Sequence, residues 1–189
     1  MRDEPLVLRF VRHGATSANT IGLRCGGDLD LPMTPLGHEQ SAAIAEKVAQ
    51  LHPPVGLIVT SDLRRTRETA AAIARRLPAV RVLVEPAFAE RHLGNWNLLP
   101  VRETQRWFEA LQTPPGGESN DEFVDRITRG VRNIKSELSS RPLLVASKGV
   151  ARVLGELAGR PERLEPENGE VLEFDLSAHF GLATLGSPS

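Results

Sequence analysis

The chain reads as an α/β protein with three layers: a mostly parallel central sheet with helices on both faces. Two observations predict this. Short continuous apolar runs at residues 6–11, 55–59 and 142–146 each stop abruptly at a polar turn, as strands covered on both faces do. Between them lie segments whose apolar residues recur at helical spacing.

Residues 6–11 are apolar apart from Arg9 and make the first strand, which stops at Arg12-His13-Gly14. The glycine there suggests a sharp backbone turn out of the sheet. Thr34 is a good N-cap and Pro35 suits the first helical position, so a helix opens there. Leu36, Ala43, Ile44, Val48 and Leu51 form its apolar face, and Pro53-Pro54 ends it. Residues 55–59 make the second strand, and a helix over about 63–77 turns Ala70, Ile73, Ala74 and Leu77 inward. Residues 80–84 alternate as a third strand. The stretch 86–118 is loop-rich, with a short helix near 101–111, and ends in the turn Pro114-Pro115-Gly116-Gly117. A long helix over about 119–139, a fourth buried strand over 142–146 and a helix over 149–158 follow. A last strand over 171–176 is free to pair within the chain or across the interface of a homodimer. Gly186-Ser187-Pro188-Ser189 is a loose tail.

A length of 189 residues suits one domain spanning 1–189, and 40% apolar with 25% charged residues is ordinary globular composition. A net charge of -1 argues against dependence on nucleic acid, although a locally positive pocket remains compatible with it. No apolar run approaches the roughly 20 residues that span a bilayer, so no membrane partner is expected. Cys25 is the single cysteine, which rules out an internal disulfide framework and points to a reducing compartment, the cytoplasm.

In open parallel sheets, ligands bind beyond the carboxyl ends of the strands. His13, Ser61 with the arginines after it, and Ser147-Lys148-Gly149 each follow a buried strand, so all three should converge on one pocket. Arg12 offers a planar fork of donors suited to phosphate. Arg64, Arg65 and Arg67 cannot share one helix face. Arg65 is expected to point back at the strand ends, and Arg64 and Arg67 toward solvent. Glu90 has two open readings: a proton donor to a leaving oxygen, or a salt bridge to a neighbour such as Arg91.

These residues carry a resemblance. Arg12-His13-Gly14 with Thr16 and Asn19 resembles the signature of the histidine phosphatase superfamily, which includes the cofactor-dependent phosphoglycerate mutases. The segment from Gly26-Gly27-Asp28 to Thr34-Pro35-Leu36-Gly37, followed by Gln40, looks like the stretch before that family's first helix. Ser61-x-Leu63-x-Arg65-Thr66 looks like its second phosphate-binding motif, and Glu90-Arg91-His92-Leu93-Gly94 with Trp96 like its acid-bearing loop. Pro115-Gly116-Gly117-Glu118-Ser119, then Arg126, looks like the turn that opens its long helix. The resemblance implies a phosphoglycerate mutase-like fold and hydrolysis of a small phosphomonoester without metal or cofactor. It casts His13 as the nucleophile that becomes phosphohistidine, and Arg12 and Arg65 as clamps on the phosphoryl oxygens with Asn19 assisting. Thr16 and Gly26 fall on the substrate-binding side, and Glu90 is the acid.

The chain departs from the pattern at one catalytic position. The family carries a second histidine in a Ser-His-Gly setting after its late strand; here the residues are Ser147-Lys148-Gly149. Three readings are open: a phosphatase with Lys148 supplying the charge, a pseudophosphatase that binds phosphorylated ligands, or an altered phosphotransferase or hydrolase in which Lys148 serves a changed substrate. The short segment between Glu90 and Gly116 leaves little material for a lid, and Leu93 stands where the mutases place an aromatic residue. Both favour hydrolysis over mutase activity.

Overall fold

A computed structural model describes residues 5–160, 162 and 164–180; the tail at 186–189 lies outside them. In chain order the elements are β1 (Val7–Arg12), α1 (Ser17–Thr20), α2 (Pro35–Ala49), β2 (Leu57–Thr60), α3 (Arg64–Arg76), β3 (Arg81–Val84), α4 (Val101–Glu109), α5 (Asn120–Asn133), β4 (Leu143–Ala146), α6 (Lys148–Leu157), β5 (Val171–Asp175) and α7 (Ser177–Phe180). Five strands form one sheet in the order β3-β2-β4-β1-β5. β1, β2, β3 and β4 run parallel, and β5 pairs antiparallel with β1. The pairing left open by the sequence is thus made within the chain, with Leu8 opposite Phe174.

The inner strands read as unbroken apolar runs because both of their faces are covered. Leu8, Phe10, Leu57, Val59 and Leu144 pack against Ile127 and Val131 of α5 and Val150 and Leu154 of α6. On the other face, Val11, Ile58, Leu143 and Val145 meet Ile44 and Val48 of α2 and Ala70 and Ile73 of α3. Each such side chain contributes about 1.5–3 kcal/mol by leaving water. Arg9 sits in this interior at 1% exposure. Its guanidinium donates to Glu173 and to the carbonyls of Pro53 and His52, which is the pairing a buried cation requires.

This arrangement makes a crevice. β1 and β4 are neighbours, but the helix after β1 covers one face and the helix after β4 covers the other. The chain therefore diverges above the carboxyl ends of these two strands, where open sheets of this kind bind ligands.

Several expectations change in detail. Leu36 is 49% exposed and Ala43 is exposed; α2 instead turns Gly37, Ser41, Ile44, Ala45 and Val48 inward. Its N-terminal end lies against the backbone after β1, which leaves room only for small residues. The long helix is α-helical to Asn133 and continues as a 3-10 helix over Lys135–Ser140. The third strand lies at the sheet edge with all four residues exposed, so its alternation does not mark a buried face. The short helices α1 and α7 carry no long periodic signal in the sequence. Among the described residues, no helix is long and apolar enough to cross a membrane.

Candidate active site

His13 follows β1 directly, and its backbone N–H donates to the Ala146 carbonyl at 3.1 Å, extending the β1–β4 ladder to the crevice. The residue is 4% exposed. Nδ1 lies 2.7 Å from the Gly14 carbonyl oxygen. A carbonyl can only accept, so Nδ1 carries the proton and Nε2 keeps its lone pair. Burial, then the charge of Arg65, and less strongly that of Arg12, push the imidazole well below its usual pKa, against the opposing pull of the Gly14 hydrogen bond. The ring is neutral at physiological pH, with Nε2 available as a nucleophile.

Gly14 is needed for space. It is not among the residues with positive φ, but a Cβ there would sit 2.2 Å from the Gly37 carbonyl oxygen. The glycine expected for a sharp turn out of the sheet serves a close approach between the turn after β1 and the start of α2. The Gly14 N–H donates to Thr69 of α3 at 3.1 Å, tying the backbone after His13 to the arginine-bearing helix.

Arg65 is 1% exposed and donates to the carbonyls of Leu29 at 3.0 Å and Gly26 at 3.1 Å. A guanidinium has five N–H donors, so it can hold this loop and an anion together. Arg64 pairs with Glu68 one turn on, at 60% side-chain exposure, and Arg67 is exposed. Arg12 donates to the Pro166 carbonyl at 3.3 Å, while its Nε and the Ser147 Oγ are buried without a partner among the described residues. Unsatisfied buried polar atoms cost about 1–3 kcal/mol each, and these two lie at the ends of the two strands that flank the crevice. Burial lowers the Arg12 pKa, and the nearby carboxylates of Glu90 and Glu165 oppose it.

Glu90 lies beyond β3, past the 3-10 turn Pro86–Phe88. One carboxylate oxygen accepts from the Arg91 N–H at 2.7 Å and the other from the Gly149 N–H at 2.9 Å. The Arg91 guanidinium goes elsewhere, to the carbonyls of Glu118 and Gln112, so the salt-bridge reading of Glu90 with Arg91 does not hold. A Cβ at Gly149 would lie 2.1 Å from a Glu90 oxygen, so the glycine of Ser147-Lys148-Gly149 admits the carboxyl group to the start of α6.

A cavity of about 730 Å³ opens above these groups, and Arg12, His13, Asn19, Glu90, Ser147 and Lys148 all line it. Thr16, Gly26 and Arg65 do not line it. Thr16 caps α1 in a reciprocal capping box with Asn19, which orients Asn19, and the Gly26 carbonyl holds Arg65. Lys148 forms an ion pair with Glu165, which also receives Arg152. Phe108 lines the cavity, Trp96 packs at a tilt against both Phe108 and Trp107, and Phe88 is core.

Three positioning features lie outside the residues singled out from the sequence as catalytic or substrate-binding. Arg126 of α5 is locked to Glu118 and donates to the carbonyls of Ala87, Ala89 and Glu90, fixing the loop that carries Glu90. Asp28 accepts from the N–H groups of Leu93 and Gly94; burial would raise its pKa, but these bonds and one from Asn97 outweigh it and lower it. Residues 164–168 wrap the rim, with Asn168 donating to the His13 carbonyl at 2.9 Å. Arg126 had a signal, its spacing eight residues after Glu118; the rim segment had none.

Comparison with known proteins identifies the class. The description "Histidine phosphatase superfamily (branch 1)" matches residues 8–177. A metal-independent phosphoserine phosphatase of Arabidopsis thaliana is 32% identical over 166 residues, 82% of this chain and 69% of its own. A probable phosphoglycerate mutase of Photorhabdus laumondii is 34% identical over 173 residues, 85% and 78% of the two chains. The solved structure of a mycobacterial glucosyl-3-phosphoglycerate phosphatase in complex with VO3 superposes with a TM-score of 0.75 at 29% identity, covering 88% of this chain and 90% of that one. The chain belongs to the histidine phosphatase superfamily. It is a phosphomonoester hydrolase of the histidine-phosphatase type.

Proposed function

We propose that the chain hydrolyses a small phosphomonoester in two steps through a phosphohistidine on His13, in the cytoplasm. The observation that carries this reading is the state of His13: buried, neutral, with Nδ1 bound to the Gly14 carbonyl and the charges of Arg65 and Arg12 close enough to be felt. In the first step Nε2 attacks phosphorus, the phosphorus–oxygen bond to the alcohol breaks, and Glu90 gives its proton to the departing oxygen. Arg12 neutralises the equatorial oxygens at the cavity wall, Arg65 adds its charge from behind that wall, and Asn19 assists from α1. In the second step Glu90 takes a proton from water, the water oxygen bonds to phosphorus, and Nε2 is released. Thr16 and Gly26 act behind this set, by holding Asn19 and Arg65.

Lys148 stands where the family's second histidine belongs and keeps a positive charge at the rim. Its pairing with Glu165 directs that charge along the cavity wall, unlike an imidazole fixed on the phosphoryl group. The phosphatase names among the relatives favour a working hydrolase over a protein that only binds phosphorylated ligands. The test is to mix the protein with an aryl phosphate and trap acid-labile, base-stable phosphoprotein. Label should appear on the native chain and vanish in His13→Ala; label surviving that substitution places the nucleophile elsewhere.

A further inference from the structure

Gln40 takes no part in the steps above, yet it is tied to the nucleophile through the backbone. It lies on α2 three residues after Gly37, and so on the same face of the helix. That face is seated on the turn after β1, where a Cβ at Gly14 or at Gly37 would lie 2.2 Å from a facing backbone oxygen. This approach brings the Gln40 side chain to Ala15, whose N–H donates to its Oε1 at 2.9 Å.

Two peptide planes flank Gly14, and each is held at both ends. In the first, the His13 carbonyl accepts from Asn168 at 2.9 Å and the Gly14 N–H donates to Thr69 at 3.1 Å. In the second, the Gly14 carbonyl faces His13 Nδ1 at 2.7 Å and the Ala15 N–H is held by Gln40. The N–H and C=O of one trans peptide point in opposite directions, so the two cannot turn separately. A rotation that took Ala15 off Gln40 would take the Gly14 carbonyl off the imidazole. Asn168 joins the two planes, because its amide nitrogen also donates to Gln40 Oε1 at 3.0 Å. It comes from a strap along the cavity rim, residues 164–168, whose Leu164 and Pro166 carbonyls accept from Arg152 and Arg12.

The tautomer of a neutral histidine is set by the hydrogen bond that one ring nitrogen makes. Burial and the charge of Arg65 keep His13 neutral, so its single ring proton has a choice of nitrogen. Attack needs the lone pair on Nε2 and hence the proton on Nδ1. We propose that Gln40 is a positioning residue for the nucleophile: by holding the Ala15 N–H it aims the Gly14 carbonyl at Nδ1 and keeps Nε2 bare. Gln40 does not line the cavity, so it acts through this one peptide plane. The inference rests on His13 as the nucleophile, and its main readout is separate from turnover.

The experiment is nitrogen NMR on the isotope-labelled full chain at neutral pH, with the His13 signals assigned by their loss in His13→Gln. The native protein should show a protonated Nδ1 and a bare Nε2. Gln40→Leu, which removes the acceptor at similar size, should move both signals toward a mixture of tautomers. On an aryl phosphate its kcat should fall about 10- to 100-fold, the scale of misplacement by a distant group, with KM changed less than about threefold. Gln40→Glu keeps an accepting oxygen and should restore the native spectrum and most of kcat. Gln40→Asn, with its amide withdrawn by one methylene, should behave as Gln40→Leu does, and it serves where the apolar side chain disturbs folding. A native spectrum in Gln40→Leu or Gln40→Asn, or a Gln40→Glu no better than either, would overturn the proposal. Turnover by the native protein with a tautomer indifferent to Gln40 sinks the positioning role alone. A tautomer that follows Gln40 in a chain without turnover sinks the hydrolase reading alone.

Discussion

On the β1 side of the cavity, His13 and Arg65 are 4% and 1% exposed, and their contacts run to backbone carbonyls. On the α6 side, Lys148 and Glu165 keep 34% and 51% of their side chains exposed and hold each other by charge. The first region is positioned by the ends of buried strands, where main-chain geometry leaves little freedom. The second is positioned by surface ion pairs, which contribute about 0–1 kcal/mol and can be remade around a ligand. The difference teaches that two walls of one cavity can be held by different forces, one by main-chain geometry and the other by charge. His13 and Arg65 belong to the buried interior, and Lys148 and Glu165 belong to the rim.

The largest expected effect breaks the buried side. His13→Ala should lower kcat by about a thousandfold or more, because the group that forms the covalent bond is gone. Steady-state turnover of an aryl phosphate measures it, and a loss under tenfold would contradict the assignment.

Next comes Gly149→Ala. The new methyl group would overlap Glu90, whose carboxyl group must then leave the start of α6. On an alkyl phosphate, with a poor leaving group, kcat should fall by about a hundredfold, within the range of a general acid. Thermal unfolding run in parallel should show a much smaller change. If the melting temperature collapses while kcat of the folded protein holds, Gly149 is structural and Glu90 is not the acid.

The pH dependence of stability sharpens the contrast. His13 is neutral in the folded chain and well below its ordinary pKa, because of burial first and the charge of Arg65 second. In the unfolded chain it takes up a proton below pH about 6.5, so there the unfolded state binds more protons and folding weakens as acid is added. The contribution is up to about 1.4 kcal/mol per pH unit, from about 6.5 down to the folded-state pKa. Denaturant melts across pH 5–7 should show this slope, and His13→Gln should flatten it.

The smallest effect is on the exposed side. Glu165→Gln should change global stability by less than about 1 kcal/mol, since its ion pairs with Lys148 and Arg152 lie near water. A larger loss in denaturant melts would make the strap part of the core's support and would weaken the contrast between the two regions.

Much of the buried side was legible in the chain. Apolar runs that stop at His13, Ser61 and Ser147 locate three strand ends, and a parallel sheet brings such ends together. Helical spacing separated Arg65 from Arg64 and Arg67, as the burial of Arg65 agrees. Glu90 could be named but not resolved, because a carboxyl group beside an arginine in sequence need not meet its guanidinium in space. Leu36 misled for a related reason: helical periodicity identifies an apolar face, while the Gly14–Gly37 approach dictates what that end of α2 can bury. The strap left no trace, since its anchors at Leu164, Pro166 and His13 are main-chain carbonyls, which every residue has.

By itself the sequence determined the α/β architecture and the positions of His13, Ser61 and Ser147-Lys148-Gly149 just past buried strands. These follow from periodicity and from which residue types stand at strand ends, and both are local properties. Only the tertiary structure decided which carbonyl sets the His13 tautomer, which amide groups receive Glu90, and that Lys148 and Arg152 close on Glu165. The Gly149–Glu90 and Lys148–Glu165 contacts join residues far apart in the chain, and even the local His13–Gly14 and Arg91–Glu90 contacts depend on how the packed backbone turns the side chain.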